Sequence, residues 1–186
     1  MPVLSQTTIG VIGSGRDAHE DLATELGALL ALLGVNLLTG AGGGVMTSVA
    51  RAFTQAARTT GFSIGIVPCS SEGDRSPKAG YPNEFIELPI YTHLPYSGDL
   101  GKSDLSRNHI IVLSSAAIVA LPGEAGTASE VDLALQYQKP IVIYSRDHVS
   151  VKHFSADAPR VSSIAEVRAF LNALRTPTSV ESPHSP

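Results

Sequence analysis

The residues best suited to chemistry lie in three glycine-rich segments: Gly13-Ser14-Gly15, Gly40-Ala41-Gly42-Gly43-Gly44 and Pro122-Gly123-Glu124-Ala125-Gly126-Thr127. Glycine lets the backbone approach a ligand closely, and N–H groups left free where a turn opens into a helix attract an anion, phosphate above all. One such loop is equally well explained as a plain strand-to-helix turn; three of them together point to a phosphate-bearing, nucleotide-like ligand. Two look-alikes fall away. Gly13-x-Gly15-x-x-Ala18 matches a dinucleotide fingerprint, but the next strand ends at Thr39-Gly40 without the acidic residue that would hold a ribose, which disfavours NAD. Gly101-Lys102-Ser103 imitates the end of an ATPase phosphate loop, yet Tyr96 stands where its first glycine belongs and no buried strand runs into it. Cys69-Ser70-Ser71 offers no nucleophile elbow. His148 and His153 lack a carboxylate at ligand spacing and read as surface residues, so no metal site is expected.

The elements that must position these loops are legible from periodicity. Apolar runs at Thr8–Ile12, 35–39, 62–67, 118–121 and Ile141–Tyr144 read as strands. Between them, Leu22, Leu26, Leu29, Leu30 and Leu33 recur at helical spacing, as do Met46, Val49, Ala50, Phe53 and Ala57, and a further helix is expected over 127–138. Ser163 and Glu166 form a capping-box pattern ahead of Ile164, Val167, Leu171 and Leu174, which predicts a closing helix. Near-continuous apolar strands alternating with amphipathic helices imply an α/β fold: a single-domain, Rossmann-like, doubly wound parallel sheet with helices on both faces, spanning 1–175. A flexible tail is expected over 176–186. In an open sheet of this kind all three loops fall on the carboxyl edge, where ligands bind. The stretch 70–102 breaks the pattern, with only 84–88 reading as extended; such a long irregular insertion is more often functional than accidental.

Composition narrows the classes of partner. The chain has 186 residues, 43% hydrophobic and 16% charged, with a formal net charge of -4. That balance describes one folded domain without a broad basic surface, so nucleic acid is not an expected partner. Cys69 is the only cysteine, which leaves no intramolecular disulfide and no Cys-rich zinc site and fits a reducing compartment. Neither a basic-then-apolar leader nor a membrane-length apolar run is present, and a cytoplasmic location without membrane contact is the expectation.

Leu121-Pro122-Gly123-Glu124-Ala125-Gly126-Thr127-Ala128-Ser129-Glu130 resembles the P-G-G-x-G-T-x-x-E signature of the LONELY GUY (LOG) family of phosphoribohydrolases. Gly42-Gly43-Gly44-Val45-Met46 is similar to that family's G-G-G-x-x-x-M region in shortened form, and Arg107 lies where the family carries its motif arginine. The resemblance runs over roughly residues 8 to 145. It implies hydrolysis of the N-glycosidic bond of a nucleoside 5'-monophosphate, with Arg107 and Glu130 as the catalytic pair and no required cofactor. Ligand and phosphate would be held by Gly13, Ser14, Gly15, Gly42, Gly43, Gly44, Met46, Asn108, Pro122, Gly123, Glu124, Gly126 and Thr127, in a homodimer or higher homo-oligomer. A carboxylate beside the sugar would stabilise developing positive charge, and Arg107 would orient the ligand.

Two positions depart from that pattern: Glu124 replaces the second glycine, and Asn108 follows Arg107 where the hydrolases carry lysine. The Arg107-Asn108 pair, with Tyr81-Pro82-Asn83-Glu84 and Leu88-Pro89-Ile90 before it, resembles the sister branch that includes molybdenum cofactor carrier proteins. That likeness implies carriage of a phosphorylated cofactor such as molybdenum cofactor in place of catalysis. Thr127 and Glu130 also permit a bland reading as a capping box at a helix start. Ile110, Ile111 and Leu113 place Arg107 on a firmly packed helix, with His109 structural or exposed.

Overall fold

A computed structural model describes residues 7–58, 60–147 and 149–174. The elements follow in the order β1 (Thr8–Ile12), α1 (Glu20–Leu33), β2 (Asn36–Thr39), α2 (Val45–Gln55), β3 (Ser63–Val67), β4 (Leu88–Tyr91), α3 (Asn108–Ser114), β5 (Ala117–Ala120), α4 (Ala125–Gln136), β6 (Ile141–Tyr144), β7 (Arg160–Val161) and α5 (Ile164–Ala173). The seven strands form one sheet in the order β4-β3-β2-β1-β5-β6-β7, and every neighbouring pair is parallel. This is the expected Rossmann-like α/β architecture.

The strand period of two sorts the apolar runs into two cores. Ile9, Val11, Leu37, Val119 and Val142 face one way and pack with Leu26 and Leu30 of α1, Val49 and Phe53 of α2 and Leu171 of α5. Ile12, Leu38, Ile66, Ile118 and Ile143 face the other and pack with Ile111 and Val112 of α3 and Val131 and Ala134 of α4. Both sheet faces are therefore covered, which is why the strands read as unbroken apolar runs. Phe53 is fully buried between α1 and the sheet, and truncating such a ring to alanine costs about 3–5 kcal/mol.

Several elements differ from expectation. The edge strand lies at Leu88–Tyr91, beyond the 84–88 stretch that looked extended, and β7 is a two-residue strand too short for periodicity to register. Leu113 is half exposed, so α3 packs through Ile111 and Val112. Helix α4 opens at Ala125 behind Glu124, which puts Thr127 and Glu130 inside the helix; neither makes a capping bond, and the capping-box alternative fails there. At α5 the box does form: Ser163 Oγ accepts the Glu166 N–H, and the Glu166 carboxylate accepts the Ser163 N–H at 3.0 Å. The expected tail, 176–186, lies outside the described residues. Among the described residues, no helix is long and apolar enough to cross a membrane.

Candidate functional site

The chain runs outward from β1 through β2 and β3 to β4, then returns to the other side of β1 and runs outward again through β5, β6 and β7. The reversal falls between β1 and β5, and loops leaving a sheet in opposite directions open a crevice at the carboxyl edge. A cavity of about 370 Å³ sits there, within the range that holds small ligands. Gly13, Ser14, Gly15 and Arg16 after β1 form one side; Glu124, Gly126, Thr127 and Glu130 at the start of α4 form the facing side. Arg107 and Asn108 at the start of α3, with Gly40 and Met46, make the floor, while Lys78, Tyr81, Ser97 and Gly98 close over it.

The glycine loops hold one another in register. Ser14 donates its N–H to the Pro122 carbonyl at 3.0 Å and accepts the Val45 N–H at 2.9 Å, so one residue ties the β1, β2 and β5 loops together. Its hydroxyl accepts the N–H groups of Arg16 and Asp17 at 3.1 and 2.9 Å. Asn83 donates its N–H to the Ala41 carbonyl and Nδ2 to the Gly42 carbonyl, docking the irregular segment onto the second loop. Gly123 is pressed between these parts: a Cβ there would lie 2.1 Å from Thr127 Oγ1 and 2.7 Å from the Ser14 nitrogen. Gly42, Gly43, Gly44, Pro122 and Gly123 thus stand behind the cavity wall as its scaffold, whereas Gly13, Ser14, Gly15, Met46, Asn108, Glu124, Gly126, Thr127, Arg107 and Glu130 line it.

At the α4 start the first N–H groups have no intrahelical acceptor, and the helix dipole adds partial positive charge. Glu124 occupies the N-cap position and lines the cavity, yet its side chain is exposed and makes no capping bond, so the first N–H groups of α4 are not taken up by its carboxylate. The Gly123 carbonyl behind it accepts a bond from His153 Nε2 at 2.9 Å. The surface reading of His153 stands, with this one link to the loop.

The floor carries three polar groups whose hydrogen-bonding capacity the protein leaves unused. Arg107 is 4% exposed; its Nη1 donates to the Gly40 carbonyl at 2.9 Å and the Ile66 carbonyl at 3.4 Å, while its buried Nε has no partner. Its guanidinium lies 5.4 Å from the centre of the Tyr81 ring. A Cβ on Gly40 would come within 2.5 Å of Arg107 Nη1, so this side chain needs glycine at the end of β2. Asn108 is 3% exposed, and its carboxamide has no hydrogen-bond partner among the described residues. Glu130 is likewise unpaired, and loss of water around its carboxyl pushes its pKa up to about 7, with the Arg107 charge acting in the opposite sense.

Sequence reasoning placed Gly40 in the second glycine loop but missed Arg16, Lys78, Tyr81, Ser97 and Gly98 as lining residues. Arg16 adjoins the first of the loops already singled out and was within reach. The other four belong to the 70–102 segment, which has no periodic pattern to place it over the sheet edge. His109 is structural: Nδ1 lies 2.8 Å from Tyr137 Oη and Nε2 lies 3.0 Å from the Ser103 carbonyl. Among the described residues no group of His, Cys, Asp and Glu could hold a metal ion.

Sheet order and cavity together define an α/β protein of the Rossmann-like class with a ligand-sized crevice at its topological switch point. Within that class the chain belongs to the SLOG cluster4 family, whose model matches residues 6–171. This agrees with the LOG-like and molybdenum cofactor carrier resemblance. It is similar to the molybdenum cofactor binding protein from the phototrophic bacterium Rippkaea orientalis, with a TM-score of 0.68 and 30% identity over 92% of this chain and 98% of that one. It is also similar to the molybdenum cofactor carrier protein from Chlamydomonas reinhardtii, with a TM-score of 0.67 and 27% identity over 91% and 98%. An uncharacterized protein of Archaeoglobus fulgidus is 34% identical over 135 residues, 72% of this chain and 76% of that one.

Proposed function

We propose that this protein binds a phosphorylated, nucleotide- or pterin-like small molecule in the switch-point cavity and carries it without turnover, with molybdenum cofactor as the cargo. The observation that carries the reading is the floor: Arg107 Nε is buried without a partner, and the Asn108 carboxamide and Glu130 carboxyl beside it line the cavity with no hydrogen bond to the protein among the described residues. Leaving a buried donor such as Arg107 Nε unsatisfied costs about 1–3 kcal/mol, a cost that a ligand offering a complementary atom removes. The niche at the start of α4, where the Glu124 side chain makes no capping bond, supports a phosphoryl group there. The molybdenum cofactor proteins from Rippkaea and Chlamydomonas, similar across nearly the whole chain, support the choice of cargo. Asn108, in place of the lysine of the hydrolases, fits a site that holds a ligand in place of cleaving it. On this reading Gly126 and Thr127 cradle the phosphate, the loop Gly13-Ser14-Gly15 faces the remainder of the ligand, and the protein works in the cytoplasm as a homodimer.

The test is to purify the protein from cells that make molybdenum cofactor, release and oxidise any bound pterin, and measure its fluorescence against an Arg107→Ala, Asn108→Ala variant. Stoichiometric pterin with the wild type and little with the variant is expected; none with the wild type overturns the reading.

One observation favours hydrolysis as a second reading. A carboxyl with its pKa near 7, beside an arginine in a cavity, is poised to exchange protons at neutral pH. Release of ribose 5-phosphate from a panel of nucleoside 5'-monophosphates, lost in Glu130→Ala, would establish it in place of carriage.

A further inference from the structure

Two side chains at the mouth of the cavity have no part in the reading above. Arg16 and Lys78 both line it, both are exposed, and neither has an ion-pair or hydrogen-bond partner for its charged group among the described residues. Among the other described cations, Arg51, Arg58, Lys102 and Arg146 pair with carboxylates and Lys139 and Arg160 donate to carbonyls, while Arg75, Lys152 and Arg168 are also unpartnered but lie off the cavity wall. The backbones that present the two free charges are fixed. The Arg16 N–H bonds Ser14 Oγ, and at Lys78 the N–H bonds the Pro68 carbonyl at 3.1 Å while its own carbonyl accepts the Tyr81 N–H. Arg16 comes from the β1 loop and Lys78 from the segment over the sheet edge, so two cations from separate walls face the cavity in a chain whose formal net charge is -4, with the exposed Glu124 as the one carboxylate beside them at its rim. A single phosphoryl group at α4 does not account for them.

We infer that Arg16 and Lys78 form a second anion subsite, and that the ligand is a small molecule with two separate negatively charged groups, one at the start of α4 and one at the mouth. The inference rests on the proposed phosphate site and deepens it by naming the ligand's charge pattern. Long-range attraction by exposed cations is screened by salt, so the contribution of the subsite falls as ionic strength rises.

The experiment measures dissociation constants of AMP, ADP and adenosine 3',5'-bisphosphate for the wild type and for Arg16→Gln, Lys78→Gln by calorimetry, with melting temperature as the folding check. The expected result is tighter binding of at least one of the doubly phosphorylated nucleotides than of AMP by the wild type. That advantage should fall about fivefold for each side chain removed, with a smaller loss of AMP affinity and the melting temperature unchanged. An advantage that survives in the variant, equal losses for all three nucleotides, or no advantage in the wild type overturns the second subsite while leaving the first intact. If the wild type binds none of the three, the phosphate reading falls with it.

Discussion

Replacing Glu130 by glutamine should stabilise the protein at alkaline pH and remove a specific pH dependence. The Glu130 carboxyl has its pKa pushed up from 4.5 to about 7, chiefly because folding strips water from it. The folded state therefore binds more protons than the unfolded chain between those two values, and stability falls as pH rises through that window. Below about 4.5 both states are protonated and there is no penalty; above about 7 the penalty is complete. The difference corresponds to about 3 kcal/mol, an upper bound because the residue keeps part of its surface on the cavity. Glutamine preserves shape and cannot ionise, so Glu130→Gln should match the wild type near pH 4.5 and exceed it by about 2–3 kcal/mol at pH 8. With a urea slope of about 2 kcal/mol per molar, the midpoint should move by about 1 M or slightly more. Urea titrations from pH 4.5 to 8.5, followed by circular dichroism, make the comparison. Parallel stability curves for the two proteins would refute the claim that Glu130 is held desolvated and unpaired. A gain in stability on losing a pocket carboxyl is also the pattern of a residue kept for a ligand.

Other substitutions probe the same site from different sides. Affinity for a phosphorylated ligand should rise as pH falls through about 7, because protonating Glu130 removes negative charge from the cavity; calorimetry in buffers of different ionisation heat should detect proton uptake, absent in Glu130→Gln. Gly123→Ala drives a Cβ against Thr127 Oγ1 and the Ser14 nitrogen, so it should cost about 1–3 kcal/mol and abolish ligand-induced thermal stabilisation. Ser163→Ala loses the α5 cap at a cost of about 1 kcal/mol and should leave ligand affinity unchanged, since α5 is absent from the cavity wall.

The sheet was legible because its strands are buried on both faces: Ile9 to Ile12 and Ile141 to Tyr144 carry almost no polar interruption, and the helices between them keep a clear period. The glycine loops were legible for the same reason, since they stand where each apolar run ends. The roof was not. Lys78, Tyr81 and Ser97 reach the cavity through single hydrogen bonds and turns, such as Lys78 N–H to Pro68 and Asn83 to Gly42, which leave no periodic trace. The start of α4 was misplaced by two residues because Thr127 and Glu130 have the spacing of a capping box, whereas the helix begins behind Glu124 without any side-chain cap. That uncapped start is the feature most open to an outside anion. The environment of Glu130 was also hidden, because desolvation depends on what packs around the carboxyl and not on its neighbours in the chain.

The most direct measurement is an amide proton NMR titration of the labelled protein with the released cargo or a nucleoside monophosphate. A phosphoryl group seated at the start of α4 should move the Gly126 and Thr127 amide protons downfield, saturating with the same dissociation constant that calorimetry gives. Saturable binding that leaves those two amides in place would contradict the account.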